Sequence, residues 1–192
     1  ILGSLITDDT MRTHVIVNYL ADQFHAYFKE NDSYPNINLI DEVIRSGTAG
    51  GLRLVPRKSE LLVVANADLD IDIDISLAID FHQSNNSDLT IVAVPHRFQV
   101  PFGVLNLDGL KVNKIEEKPT YINWVSSGIF IINKDVLSLL PEAPSFFDFP
   151  QLIDESIKQK KNVLTYLYDG NWHDIGTPSQ LAKYDYEISK NK

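Results

Sequence analysis

Short apolar runs rich in β-branched residues recur along this chain, separated by stretches whose apolar residues fall at helical spacing. HVIVNY at residues 14–19, LLVVAN at 61–66 and LTIVAV at 89–94 read as buried strands, because a brief β-branched run suits a covered strand. Residues 37–43, 124–133 and 163–168 read the same way, and 103–107 with 109–115 read as a hairpin turning at Asn106-Leu107-Asp108-Gly109. Helical spacing predicts helices at 20–29, 75–84, 134–140, 149–160 and 179–190, the last capped by Thr177 or Ser179. A further helix opens at Gly47–Gly51 and runs into Val55, and the turn chemistry of residues 31–36 separates the first helix from the second strand. Strands alternating with helices specify an α/β fold with a largely parallel central sheet. No repeat or low-complexity linker divides residues 1–192, so they form one domain. In such sheets ligands sit beyond the carboxyl ends of the strands, which directs attention to the loops at 47–51, 66–68 and 173–177.

Composition narrows the function classes. With 17 basic and 26 acidic residues the formal net charge is −9, and a surface that acidic repels nucleic-acid backbones. An anionic small substrate then needs a locally basic pocket or a bridging cation. The absence of Cys excludes disulfide scaffolds, thiolate zinc sites and cysteine nucleophiles. No apolar run approaches the roughly 18 residues of a membrane span and no signal peptide is visible, so a cytoplasmic domain is expected. The chain starts at Ile1, in mid-pattern, and its single Met is Met11.

Several residues carry chemistry in these loops. Asp68 follows directly on a strand, where a carboxylate either caps the next segment or holds a metal; hard oxygen donors of this kind suit magnesium. Asp70, Asp72 and Asp74 alternate with Leu69, Ile71, Ile73 and Ile75, the pattern of a half-exposed extended segment with its polar side out. Asp174 is an N-cap or a ligand, and His173 beside it reads as a packing or surface residue. Glu117-Lys118-Pro119 ends a strand: a Lys there is a point charge suited to phosphate, and the Glu suits sugar hydroxyls. Gly47-Thr48-Ala49-Gly50 offers N–H groups at a helix start, suited to an anion or a close-lying base.

Taken in order, VNYLADQF, GTAG, VANAD with IDFH after it, PFGV, IEEKP, SSGIF and GNWHDIGTP resemble the sugar-1-phosphate nucleotidyltransferase family over residues 15–183. The likeness is to members making GDP- or UDP-activated hexoses and amino-sugars, mannose-1-phosphate guanylyltransferases among them. It implies a Rossmann-like (GT-A-like) three-layer sandwich around a mixed, mainly parallel sheet. It also implies nucleotidyl transfer from a nucleoside triphosphate to a sugar-1-phosphate. By the resemblance Asp68 and Asp174 hold Mg2+ against the phosphates, and Lys118 binds the sugar phosphate as the third catalytic group. Gly47, Thr48 and Ala49 lie against the nucleobase, and Asn66, Gly103, Glu117 and Ser126 contact substrate. Ser126 stands where the family often has Asn, Phe102 where Tyr is common, and Ala67 where Gly is usual. A homo-oligomer is compatible with the family.

The family opens with a strand and a glycine-rich loop carrying Arg, followed by a Lys, and these residues contain no match to it. The strands at 14–19 and 61–66 are then expected to flank a gap. Turnover by this stretch is expected at least about a hundredfold below that of a chain with the loop, since one preorganised donor is worth roughly that much. Two other readings stand beside transfer: a domain that binds nucleotide-sugar without turnover, and a metal-dependent glycosyltransferase using Asp68-Leu69-Asp70.

Overall fold

The computed structural model describes residues 12–31 and 36–190; the start of the chain and most of the turn expected at 31–36 lie outside them. Strands β1 (Thr13–Val17) and β2 (Ile37–Asp41), joined through helix α1 (Ala21–Glu30), pair in parallel and form a sheet of their own. A 3-10 turn at Gly50–Leu54 takes the place of the longer helix expected after Gly47.

The main sheet has β3 (Leu61–Ala65), β8 (Thr120–Asn133), β5 (Leu89–Gln99) and β9 (Val163–Leu167) in that order. β8 runs antiparallel to both neighbours, and β5 pairs with β9 in parallel. β3, β5 and β9 therefore share one direction, with β8 against them: a mixed sheet with its parallel majority. Between β3 and β5 lie β4 (Leu69–Ile71) and helix α2 (Ile75–Ser84). β6 (Gly103–Asp108) and β7 (Lys111–Glu117) form a separate hairpin. Its last pair is Asp108 with Lys111, and Gly109 takes a positive φ, so the turn sits later than the sequence suggested.

Alternation along the strands sends side chains into two cores. Leu62, Val64, Leu89, Ile91, Phe130 and Ile132 pack on one face against Leu52, Val136 and helix α3 (Phe149–Lys158). Phe149 stacks flat on Phe130 with ring centroids 3.8 Å apart. Val63, Val92, Ile129 and Ile131 pack on the other face against β4 and α2. Helical layers cover both faces, as the three-layer reading requires. The 3-10 turn Lys134–Leu139, strand β10 (Trp172–Asp174) and helix α4 (Pro178–Lys190) complete the elements.

Leu61–Ala65, expected as a buried strand, is half-buried along its length, because among the described residues β3 lies at the edge of the sheet. Among the described residues β1 bonds only to β2 and β3 only to β8, so each has one unpaired side. No described helix is long and apolar enough to cross a membrane.

Candidate active site

The chain leaves β3 at Ala65 and turns through Asn66-Ala67-Asp68 into β4, which pairs antiparallel with β10 so that Leu69 faces Asp174. The Ile175 N–H donates to the Asp68 carbonyl (2.8 Å), fixing the two chain segments together just outside the ladder. Both carboxylates then close on Gly176. A Cβ built there would stand 2.9 Å from Asp68 Oδ2 and 3.2 Å from Asp174 Oδ1. The two oxygens are no farther apart than those distances together, which one hydrated cation can span. Asp174 Oδ1 also accepts from the Gly176 N–H (3.1 Å), which sets its rotamer, while Thr177 Oγ1 accepts from the Gln180 N–H and caps α4. Asp174 is thus not the helix cap.

Two exposed carboxylates fit magnesium, which usually takes one or two from protein and completes its shell with phosphates and water. No cluster of three or more His, Asp or Glu is present among the described residues, so the pair is not part of a closed protein cage.

The wall beside Asp68 comes from a bulge in β8. Val92 pairs with Ile129 but Ala93 with Ser126, leaving Ser127 and Gly128 unmatched. Gly128 takes φ +85°, and a Cβ on it would stand 2.9 Å from Asn66 Nδ2, so Asn66 lies flat against it. Ser126 Oγ accepts from the Gly128 N–H (3.3 Å), and the Trp172 indole N–H donates to the Ser127 carbonyl (3.0 Å). The bulge therefore brings Asn66, Ser126 and the β10 strand of Asp174 to one place.

Gly103, Glu117 and Lys118 meet at another. Gly103 pairs with Glu117, whose Oε2 would lie 3.1 Å from a Cβ at 103. The Lys118 N–H donates to the Phe102 carbonyl (3.2 Å) and the Lys118 carbonyl accepts from Gln99 Nε2 (3.2 Å). These bonds hold Lys118 in the left-handed region at φ +47°, a conformation that costs a non-glycine residue about 1 kcal/mol. Its ammonium is exposed and has no ion-pair partner among the described residues. The stretch of β8 from Thr120 to Ser126 separates this corner from the bulge, about 20 Å of extended chain. No hydrogen bond or ion pair joins Lys118 to either Asp68 or Asp174 among the described residues.

The Gly47–Gly50 loop departs from expectation. Three of its four amides are taken inside the protein: Ala49 and Gly50 N–H both donate to the Phe147 carbonyl (3.1 and 2.8 Å), and Thr48 N–H donates to Asp148 Oδ1 (2.7 Å). Ala49 and Gly50 are themselves buried, so only Gly47 and Thr48 of this loop reach the surface. Beside it opens a pocket of about 340 Å³, whose lining includes Glu42, Arg45, Ser46, Arg53 and Phe146. Glu42 Oε1 accepts from Ser46 N–H and Oγ–H (3.2 and 2.5 Å). Arg53 donates to the Ser145 carbonyl and Oγ, while its buried Nε has no partner among the described residues.

Asp70 and Asp74 have local roles. Asp70 accepts from the Tyr184 hydroxyl (2.6 Å), which pushes that phenol above its usual range, and the Tyr184 ring meets His173 edge-on at 5.3 Å. Asp74 caps α2 through Ser76. Asp70 is thereby tied to α4 through one of its carboxylate oxygens. Asp148, Trp172 and Tyr184 were not singled out by sequence reasoning. Asp148 ahead of Phe149-Pro150 carries a cap signal, but nothing local shows that it reaches Thr48.

A mixed sheet between helical layers, with its strand-end loops carrying a pair of carboxylates, is the architecture of the nucleotidyltransferase class. The crystal structure of HddC from Yersinia pseudotuberculosis shares this fold, with a TM-score of 0.68 and 23% identity over 97% of this chain and 83% of that one. The chain belongs to the nucleotidyl transferase family, whose profile matches residues 2–191, and its relatives there are sugar-1-phosphate nucleotidyltransferases. A mannose-1-phosphate guanyltransferase of Kluyveromyces lactis is 29% identical over 188 residues, 92% of this chain and 50% of that protein. A glucose-1-phosphate adenylyltransferase of Lachnospira eligens is 30% identical over 138 residues, 67% of this chain and 33% of that protein. The chain thus spans half or less of the length of these relatives.

Proposed function

We propose that this chain is the sugar- and metal-binding part of a nucleotidyltransferase that joins a nucleoside triphosphate to a hexose-1-phosphate. The convergence of Asp68 and Asp174 on Gly176 carries the reading. An oxygen of the sugar phosphate attacks the α-phosphorus in line, the bond to the β-phosphate oxygen breaks, and pyrophosphate leaves. No covalent enzyme intermediate is needed. Magnesium, when bound by Asp68 and Asp174, supplies positive charge to phosphate oxygens on which the transition state spreads its negative charge. Glu117 accepts from sugar hydroxyls, Lys118 places a point charge on the sugar phosphate, and the backbone at Gly103 approaches the sugar because no side chain intervenes. Asn66 and Ser126 line the floor beside the carboxylate pair, and Gly47 and Thr48 face the base, while Ala49, which the resemblance also set against the base, is fully buried and backs them from the core. Guanosine triphosphate and mannose-1-phosphate are the first substrates to test, following the names of several relatives.

The test is pyrophosphate release by this chain with each of the common nucleoside triphosphates and a panel of hexose-1-phosphates. Release that depends on magnesium and disappears in Asp68→Asn and Asp174→Asn supports transfer. Binding of a nucleotide-sugar with no release in any combination supports the second reading, a binding domain without turnover. That reading is favoured by the length of β8 between the Lys118 corner and the bulge beside the carboxylates, about 20 Å of extended chain.

A further inference from the structure

We propose that Asp148 is a positioning residue for the nucleobase, acting through the Gly47–Gly50 loop without touching the ligand; the inference rests on the reading that this loop faces the base. Asp148 Oδ1 accepts from both Thr48 N–H (2.7 Å) and Thr48 Oγ–H (3.1 Å). Thr48 Oγ1 in turn accepts from the Phe149 N–H (3.0 Å), so the two segments are laced in both directions. The Phe147 N–H donates to the Ser46 carbonyl (2.8 Å), and the Phe147 carbonyl takes the Ala49 and Gly50 amides. Gly47 permits the approach: it sits at φ +87°, and a Cβ there would stand 2.6 Å from the Phe147 carbonyl oxygen. Any side chain at 47 would both strain the backbone and push the segments apart.

The anchor is rigid. Residues 147–149 lead into α3, whose Phe149 is buried and stacked on Phe130 and whose Leu152 is fully buried in the same core. Gln151 Oε1 accepts from the Asp148 N–H (2.8 Å), which fixes the Asp148 backbone at the helix start. Asp148 forms no ion pair among the described residues, so its carboxylate is committed to Thr48 and the first turn of α3. The loop owes its shape to a helix about a hundred residues away, and a base seated on that loop reads that shape.

Asp148→Asn keeps an acceptor oxygen at the same place, whereas Asp148→Ala removes it. Gln151→Ala disturbs the same helix start without touching Thr48 and controls for the cap. Two readouts are taken on the whole chain: amide hydrogen exchange at Thr48, Ala49 and Gly50, and calorimetric titration with guanosine, adenosine, uridine and thymidine triphosphates. Asp148→Ala is expected to speed exchange of these amides at least tenfold and to weaken the preferred triphosphate about tenfold, the worth of one or two lost hydrogen bonds. Asp148→Asn and Gln151→Ala should stay within about twofold of the parent. Unchanged loop exchange in Asp148→Ala overturns the clamp. Faster exchange with unchanged triphosphate affinity overturns the link between clamp and base. A parent chain that binds none of the four overturns the nucleotide reading itself, and this inference falls with it.

Discussion

Asp68 and Asp174 approach one another across Gly176, and the hydrogen atom of that glycine is what leaves them room. β4 and β10 are only three residues each, yet their pairing carries two distant stretches of chain to one point. The contact has an unusual consequence for substitution, because the atoms nearest a new Cβ are carboxylate oxygens at the free ends of side chains.

Gly176→Ala is therefore expected to fold normally and to bind metal poorly. The carboxylates can swing away from a methyl group, so the thermal midpoint in chelator should shift by less than about 2 °C, but they then no longer face one cation. Manganese titration followed by electron paramagnetic resonance measures the affinity; a loss of at least about tenfold is expected, with Asp68→Asn and Asp174→Asn as references. Unaltered affinity would show that the pair does not share an ion.

Asp74 makes stability depend on pH in a stated direction. The Ser76 hydroxyl and N–H (2.5 and 3.0 Å) donate to its carboxylate and hold the pKa below the ordinary value. A depressed folded-state pKa adds stability that is present above the unfolded-state pKa and is lost as pH falls through the folded value. Thermal midpoints between pH 6 and pH 2 should fall less steeply in Asp74→Asn, which keeps a capping oxygen without the charge, than in the parent. Parallel curves would assign the acid limb to other carboxylates.

Behind α2 lies a polar cluster inside the core. His82 is 1% exposed, with Nδ1 on Thr90 Oγ1 (2.8 Å) and Nε2 on Asn133 Oδ1 (3.1 Å), and Asn133 Nδ2 donates to the Ser87 carbonyl. His82→Ala leaves a cavity and strands the buried Thr90 hydroxyl and the half-buried Asn133 amide, so a loss of about 2–4 kcal/mol is expected in urea unfolding. Because the three side chains form one network, His82→Ala and Asn133→Ala should cost less together than the sum of their separate losses. Additive losses would show that the cluster does not act as a unit.

Much of this architecture is written in local pattern. The alternation at residues 69–75 places Leu69, Ile71, Ile73 and Ile75 inside and the aspartates outside, and α2 spans the residues its spacing indicates. What local pattern misses is pairing. β5 continues past Pro95 to Gln99 because Pro95 lies where β5 already reaches away from the covered sheet, opposite the exposed Trp124. β4 and β10 are too short to carry a period, and each is a strand only because the other is there. The Thr48, Ala49 and Gly50 amides look available in sequence, and only the approach of Phe147 and Asp148 shows that they are taken.

The free side of β3 yields a prediction at the resolution of single amides. Asn66 N–H donates to the Gly128 carbonyl and Lys134 N–H to the Glu60 carbonyl, which marks Glu60 and Asn66 as positions that face β8. In an antiparallel ladder bonded and non-bonded pairs alternate, so Leu62 and Val64 also turn their N–H toward β8. Leu61, Val63 and Ala65 turn theirs to the side where the described residues place no strand. Half-buried apolar side chains on both faces of such an edge would ordinarily be covered, since an exposed edge invites pairing with another chain. In dilute protein, amide exchange at Val63 and Ala65 should run at least about tenfold faster than at Val64, which shares their surroundings but has its partner in β8. Raising the concentration should slow Val63 and Ala65 selectively if copies pair through this edge, with sedimentation showing the associated species. Equal protection at all three positions in dilute solution would show that the edge is already filled within a single chain.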